Sequence, residues 1–214
     1  MNLMAYHGTK VDFATFEPGD FSLDRMVGAH FSKTPALANL FATRNPGRKG
    51  HGKRFGGRVI PVRLTGPVYT LNQHWGDFPG ENCMLTHPEK HYLLGLFTAD
   101  YYAMAYDIGK VVLTSRPDLL AQYAAIMGHI SPQSCLDQME KHRDWPTVSI
   151  LRRDHGEAGE RLMADIANAY REILQTRGYG VISYVNTAKK EQAGDLDDQT
   201  CYIALTQPKF YFEE

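Results

Sequence analysis

Cysteine is scarce in this chain: Cys83, Cys135 and Cys201 are too few and too scattered among 214 residues for a disulfide framework or a zinc knuckle. A reducing compartment is the expectation that follows. An excess of one charge is lacking too. The 23 Lys and Arg against 24 Asp and Glu leave a formal net charge of −1, which removes any global attraction to nucleic acid or to an anionic membrane. No stretch stays apolar for the ~18 residues of a spanning helix. The opening Met1 to His7 has neither the basic nor the apolar region of a secretory leader. These absences predict a soluble protein with no membrane partner, acting in the cytoplasm or delivered into a host cytoplasm. There is no internal repeat and, outside one basic loop, no low-complexity tract.

What is present suffices for a packed core. Hydrophobic residues make up 43% and charged residues 22%, the balance of an ordinary globular protein, and the length fits one domain, residues 1–214, carrying an insertion. An aromatic share of 11% favours a fold containing a sheet.

Along the chain, Leu3 to Thr9 reads as a first strand ending in a polar turn. Residues 10 to 27 mix Phe13, Phe16 and Phe21 with Asp, Glu, Pro and Gly and read as an ordered loop pinned by its aromatic rings. Gly28 to Ser32 reads as a second strand. Thr34 then caps a short helix with Pro35 at its first position and Ala36, Leu40 and Phe41 on its apolar face. Residues 44 to 58 hold Lys, Arg and Gly with almost no apolar content, a mobile basic loop. Val59 to Leu64 alternates as a strand, and Pro61 places it near a sheet edge. From about 86 to 142 the pattern turns helical, part of an expected helical insertion at about 80–150. A second helix is expected from about Glu157 to Thr176, with Gly178 at its stop. Val181 to Val185 and Thr200 to Leu205 close the sheet as late strands.

The residues that carry chemistry sit at strand ends. Tyr6-His7-Gly8-Thr9 ends the first strand. Gly28-Ala29-His30-Phe31-Ser32 forms the second, before a helix with Ala38, Asn39, Phe41 and Ala42. Arg177 to Asn186 and Cys201 to Pro208 form the closing pair. Together these resemble the ADP-ribosyltransferase-like superfamily, whose first strand ends in a His-Gly-Thr type motif and whose second reads Gly-x-Tyr/His-Phe-Ala/Ser before such a helix. The likeness covers both ends of the chain and leaves residues 80 to 150 unmatched. It implies an α+β fold with a split mixed β-sheet, flanking helices and a helical insertion. It also implies NAD as co-substrate and transfer of ADP-ribose to a macromolecular acceptor, a protein first of all, as an effector, toxin or phage-encoded modifier would do.

The residues fit such a ligand on physical grounds. A glycine at a strand end lets backbone approach a flat amide with no Cβ between them, the role expected of Gly8. Imidazole carries a donor and an acceptor in one rigid ring, which suits His7 to a ribose hydroxyl. Thr9 shapes the turn or meets the ribose. His30 stands where the family carries the aromatic beside the nicotinamide, with Phe31 on the opposite face. Tyr6, Gly28, Ser32 and Arg44 complete the expected NAD-binding set. At the third catalytic position the resemblance calls for a Glu that stabilises an oxocarbenium-like transition state. The chain offers Asp197-Asp198-Gln199-Thr200-Cys201, with Gln199 at the first place of the family's acidic pair and Cys201 at the Glu itself. The candidates, in order, are Gln199, Asp198 and Cys201, with Asp197 and Glu191 as further carboxylates. The missing Glu also motivates a second reading, a catalytically impaired module that binds NAD or another nucleotide and acts through a partner. A third is a nucleic-acid-directed enzyme or binder using residues 44 to 58 on phosphate. His87 and His91, spaced i, i+4 with no third ligand, read as solvated helix-face residues, so no metal is expected. Cys83 and Cys135 read as core.

Overall fold

The computed structural model describes residues 2–10, 15–20, 22–43, 57–71, 99–186 and 198–211. The chain is mixed α+β and groups into two compact units, one of residues 1–18, 28–70 and 177–214, the other of residues 19–27 and 71–176.

The first unit is built on a seven-stranded sheet. In chain order its elements are β1 (Asn2–Thr9), β2 (Ala29–Ser32), the helix Pro35–Thr43, β3 (Arg58–Thr65), β4 (Val68–Thr70), β5 (Val181–Val185), β6 (Thr200–Ala204) and β7 (Lys209–Phe210). The strand order is β4-β5-β6-β2-β1-β3-β7. The β4–β5 pair is parallel and every other pair antiparallel, so the sheet is mixed. Alternation assigns the faces. Leu3 and Ala5 of β1, Val62 and Leu64 of β3, Phe31 of β2 and Tyr202 and Ala204 of β6 all turn to one side, where they form a core with Phe16 and Val181. The Phe16 ring meets Phe31 and Phe210, each at 5.1 Å between centroids. Burying such a ring contributes about 1.5–3 kcal/mol.

Thr34 caps the helix Pro35–Thr43 as the sequence predicts, its Oγ1 accepting from the Leu37 N–H at 3.2 Å. Pro61 also behaves as expected. Among the described residues its strand β3 is paired on the outer side by the two residues of β7, and the Pro61 carbonyl accepts from the Tyr211 N–H at 3.1 Å.

The second unit is helical among its described residues. Numbering helices in chain order, α1 is Leu23–Val27, α2 the helix Pro35–Thr43 of the first unit, α3 Ala99–Ser115, α4 Pro117–Ile126, α5 Pro132–His142 and α6 Leu151–Thr176, with a 3₁₀ turn at Trp145–Ile150 before α6. Proline opens both α4 and α5. Ser131 caps α5 by accepting from the Ser134 N–H at 3.1 Å. Trp145, Tyr123, Tyr170, Ile108 and Leu113 are fully buried. The Tyr123 and Thr147 hydroxyls meet at 2.7 Å inside this core. Gly156 interrupts α6 with φ 55° and ψ −136°, a conformation open to glycine alone.

One reading of the sequence is corrected here, and two short strands are added to it. The loop expected over residues 10–27 contains the helix α1; Phe16 is buried as expected, while Phe13 and Phe21 lie outside the described residues. The helix expected from about Glu157 to Thr176 is present: the non-helical Gly156 divides Leu151–Thr176 into two helical segments, and the second begins directly after it. The strands β4 and β7, of three and two residues, are too short to show any period.

Candidate functional site

The junction between β1 and β2 differs from the rest of the sheet. The β1–β3 pair aligns all eight residues of β1, and β2–β6 aligns all four of β2. Between β1 and β2 a single pair aligns, Tyr6 with Ser32. The sheet is therefore two halves, β4-β5-β6-β2 and β1-β3-β7, joined through one bridge. His7 follows Tyr6 on one side of this junction, and His30 and Phe31 lie on the other.

The His7 side chain crosses the junction. Its Nδ1 lies 2.9 Å from the His30 carbonyl oxygen, and since a carbonyl only accepts, Nδ1–H donates. The ring packs edge-on to Phe16 at 5.3 Å and tilted to Phe31 at 5.5 Å. Burial pushes its pKa below the usual histidine value; the bond to the His30 carbonyl opposes that shift, and the nearby His30 adds a smaller lowering. At pH above the ordinary histidine value the ring is therefore a neutral imidazole protonated on Nδ1, with Nε2 as its acceptor nitrogen.

Gly8 and Gly28 have packing reasons to be glycine. A Cβ on Gly8 would sit 1.9 Å from the Ala38 carbonyl oxygen of α2, and one on Gly28 would sit 2.2 Å from the Ala204 carbonyl oxygen of β6. The space expected at Gly8 for a flat amide is taken, on its Cβ side, by the backbone of α2. Thr9 is buried at the end of β1.

His30 alternates with Phe31, so its ring lies on the opposite sheet face from the His7 ring, which packs on Phe31. The His30 Nδ1 is 2.8 Å from the Tyr184 hydroxyl, and its Nε2 is shielded from solvent. What His30 turns toward His7 is its carbonyl. Phe31 is core, 2% exposed, and Ser32 is buried beside Cys201, its partner in register. Tyr6 is half-buried.

At the third position the three candidates separate. Asp198 accepts from the Thr200 N–H at 2.9 Å and pairs with Lys33 Nζ at 2.6 Å. The Lys33 ammonium and then the Thr200 bond hold its carboxyl down to about 2, so it stays charged at any physiological pH. Gln199 is half-buried and its carbonyl accepts from the Asn186 N–H at 2.9 Å, aligning the start of β6 with the end of β5. Cys201 is a buried thiol, 2% exposed, on the same face as Tyr184 and His30. A carboxylate therefore stands at the mouth of β6, and a buried thiol at the place where the resemblance puts a Glu.

Sequence reasoning missed Lys33 and Tyr184. Lys33 follows β2 directly, its N–H donating to the Thr200 carbonyl at 2.9 Å, and only the β2–β6 register brings it to Asp198. Tyr184 reaches His30 across an intervening strand. Arg44, residues 44–56 of the basic loop, Cys83, His87, His91, Glu191 and Asp197 lie outside the described residues; Cys135 is fully buried. Among the described residues no group of three or more His, Cys, Asp or Glu is placed to hold a metal ion, and no helix is long and apolar enough to cross a membrane. Comparisons with protein families, with curated proteins and with solved structures find no match.

Proposed function

We propose that the chain is a mono-ADP-ribosyltransferase that binds NAD where β1 and β2 part, cleaves it at the nicotinamide glycosidic bond and transfers ADP-ribose to a macromolecular acceptor. The observation that carries this reading is the single-bridge junction spanned by His7. The resemblance to the ADP-ribosyltransferase-like superfamily, with its split sheet, implies a dinucleotide at such a junction. A neutral imidazole with a fixed donor nitrogen directs its acceptor nitrogen toward a ribose hydroxyl, and holding that hydroxyl orients the sugar as the glycosidic bond breaks. Tyr6, Gly8, Thr9, Gly28 and Ser32 form the surrounding backbone. Asp198 is the charged group of the third-position set and supplies the negative charge that an oxocarbenium-like transition state needs. Nicotinamide leaves, and an acceptor nucleophile takes its bond to the ribose carbon.

The burial of Cys201 where a Glu is expected favours a second reading, an NAD-binding module without turnover. One experiment separates the two. The folded protein is incubated with NAD labelled on the adenylate portion and with cell lysate, and calorimetry with NAD alone is run in parallel. Released nicotinamide with labelled acceptor supports the transferase; heat of binding without release supports the module; neither signal rejects both.

A further inference from the structure

One cross-strand row runs through four strands on the sheet face that carries the His30 ring. In register it reads Tyr184 on β5, Cys201 on β6, Ser32 on β2 and Tyr6 on β1, and it ends on the bridge that joins the two halves of the sheet. Tyr184 is 8% exposed, and Ser32 and Cys201 are 2% exposed. The Tyr184 hydroxyl leaves the row diagonally, passes over β6 and meets His30 Nδ1 at 2.8 Å, with the two rings edge to face at 5.9 Å. His30 is thus tied on both sides. Its ring is held from β5, and its carbonyl receives the His7 Nδ1–H from β1.

We infer that Tyr184 is a positioning residue for His7: by holding the His30 imidazole it fixes the residue whose carbonyl keeps His7 protonated on Nδ1. The kinetic part of this inference rests on the transferase reading above; the structural part does not. Elsewhere in the sheet, ladders of paired residues lock neighbouring strands. Between β2 and β1 one pair does so, and the side-chain tie from Tyr184 adds a constraint at residue 30 that the backbone pairing with β1 lacks. The phenol suits this use, because its hydroxyl both donates and accepts and its ring fills a buried place that a smaller side chain leaves empty.

The test compares wild type with Tyr184→Phe, which removes one oxygen and keeps the ring. Protein labelled with ¹⁵N-histidine reports the His7 ring nitrogens near neutral pH, and the melting curve verifies folding. In the wild type the two His7 nitrogens take the separated shifts of a single tautomer with the proton on Nδ1. In Tyr184→Phe they move toward averaged values, and kcat for NAD cleavage falls on the order of tenfold with KM changed less than about twofold. Unchanged His7 shifts in the folded variant overturn the inference. Should Tyr184→Phe not fold, 3-fluorotyrosine at 184 keeps the hydroxyl and nearly the volume while making the phenol more acidic. It shifts both His30 Nδ1 and His7 Nδ1 if the tie exists, and a shift at neither overturns the inference. A wild-type protein that leaves NAD intact rejects the transferase alone, and the nitrogen shifts still decide the role of Tyr184.

Discussion

His7 is the residue on which most depends, and its state follows from what surrounds it. Two phenyl rings desolvate the imidazole, and a backbone carbonyl takes its Nδ1 proton. The unfolded chain binds a proton at this site more readily than the folded one, since the folded pKa is depressed below 6.5. The stability that neutral His7 contributes is therefore fully present above that value and is lost as the pH falls through it toward the lower, folded one. Denaturation across mildly acidic pH should show this loss. In His7→Asn, whose amide nitrogen can still donate to the His30 carbonyl, the slope should flatten while NAD turnover drops by about a hundredfold. An unaltered slope excludes the titration of His7 as its source. Asp198 has the opposite charge and the same sign of linkage. Its contribution holds above the ordinary 3.8 and disappears as the pH falls through about 2. Asp198→Asn keeps an oxygen for the Thr200 N–H and loses the partner of Lys33, so it should cost no more than about 1 kcal/mol at neutral pH. If Asp198 provides the catalytic charge, NAD turnover in the same variant falls by on the order of a hundredfold with the melting temperature little changed. Equal turnover removes it from the reaction. The sequence named both residues, because each occupies a strand end in a recognisable pattern. It did not reveal that the His30 side chain faces away from His7, which only the register and the ring contacts establish.

Among the elements, β1 and α2 approach closely at Gly8. The Ala38 carbonyl of α2 lies where a side chain at residue 8 would begin. Gly8→Ala therefore has to push the helix off the strand, because neither contacting group is a flexible side-chain end. A loss of about 2–3 kcal/mol is expected, read from the urea midpoint; a loss under about 0.5 kcal/mol would show that α2 yields freely. Legibility at this scale followed length and punctuation. Val181–Val185 was read at its observed limits, and the start of α2 at Pro35 was fixed by Thr34 and Pro35 together. The five-residue α1 is invisible in the sequence pattern because a helix that short never repeats its apolar face. The expected helix start at Glu157 falls directly after the glycine-only backbone of Gly156, which divides α6 into two helical segments.

At the scale of the whole molecule, the spacing of apolar residues marked a helical region, but nothing in it grouped Gly19–Val27 with residues 71–176. That grouping joins segments far apart in sequence, and composition is blind to such pairings. The two buried thiols allow each unit to be followed by itself. Cys135 belongs to the helical unit and burial pushes its pKa up to about 11; Cys201 belongs to the sheet unit and is 2% exposed. Neither should react with a thiol reagent in native buffer, since reaction requires an accessible thiolate. Peptide-resolved mass spectrometry along a urea series then gives a separate opening curve for each unit. Fast modification of Cys135 without denaturant would contradict its burial.

A ladder with many rungs spreads any pull along its whole length, while one with a single rung concentrates it. Tyr6 and Ser32 are that rung. Substitutions there should act less on how tightly either half of the ladder holds than on how the halves are aligned. Amides along β1 and β6 should then keep their own exchange rates when Ser32 is altered, while the resonances of His7 and His30 on either side of the rung move together.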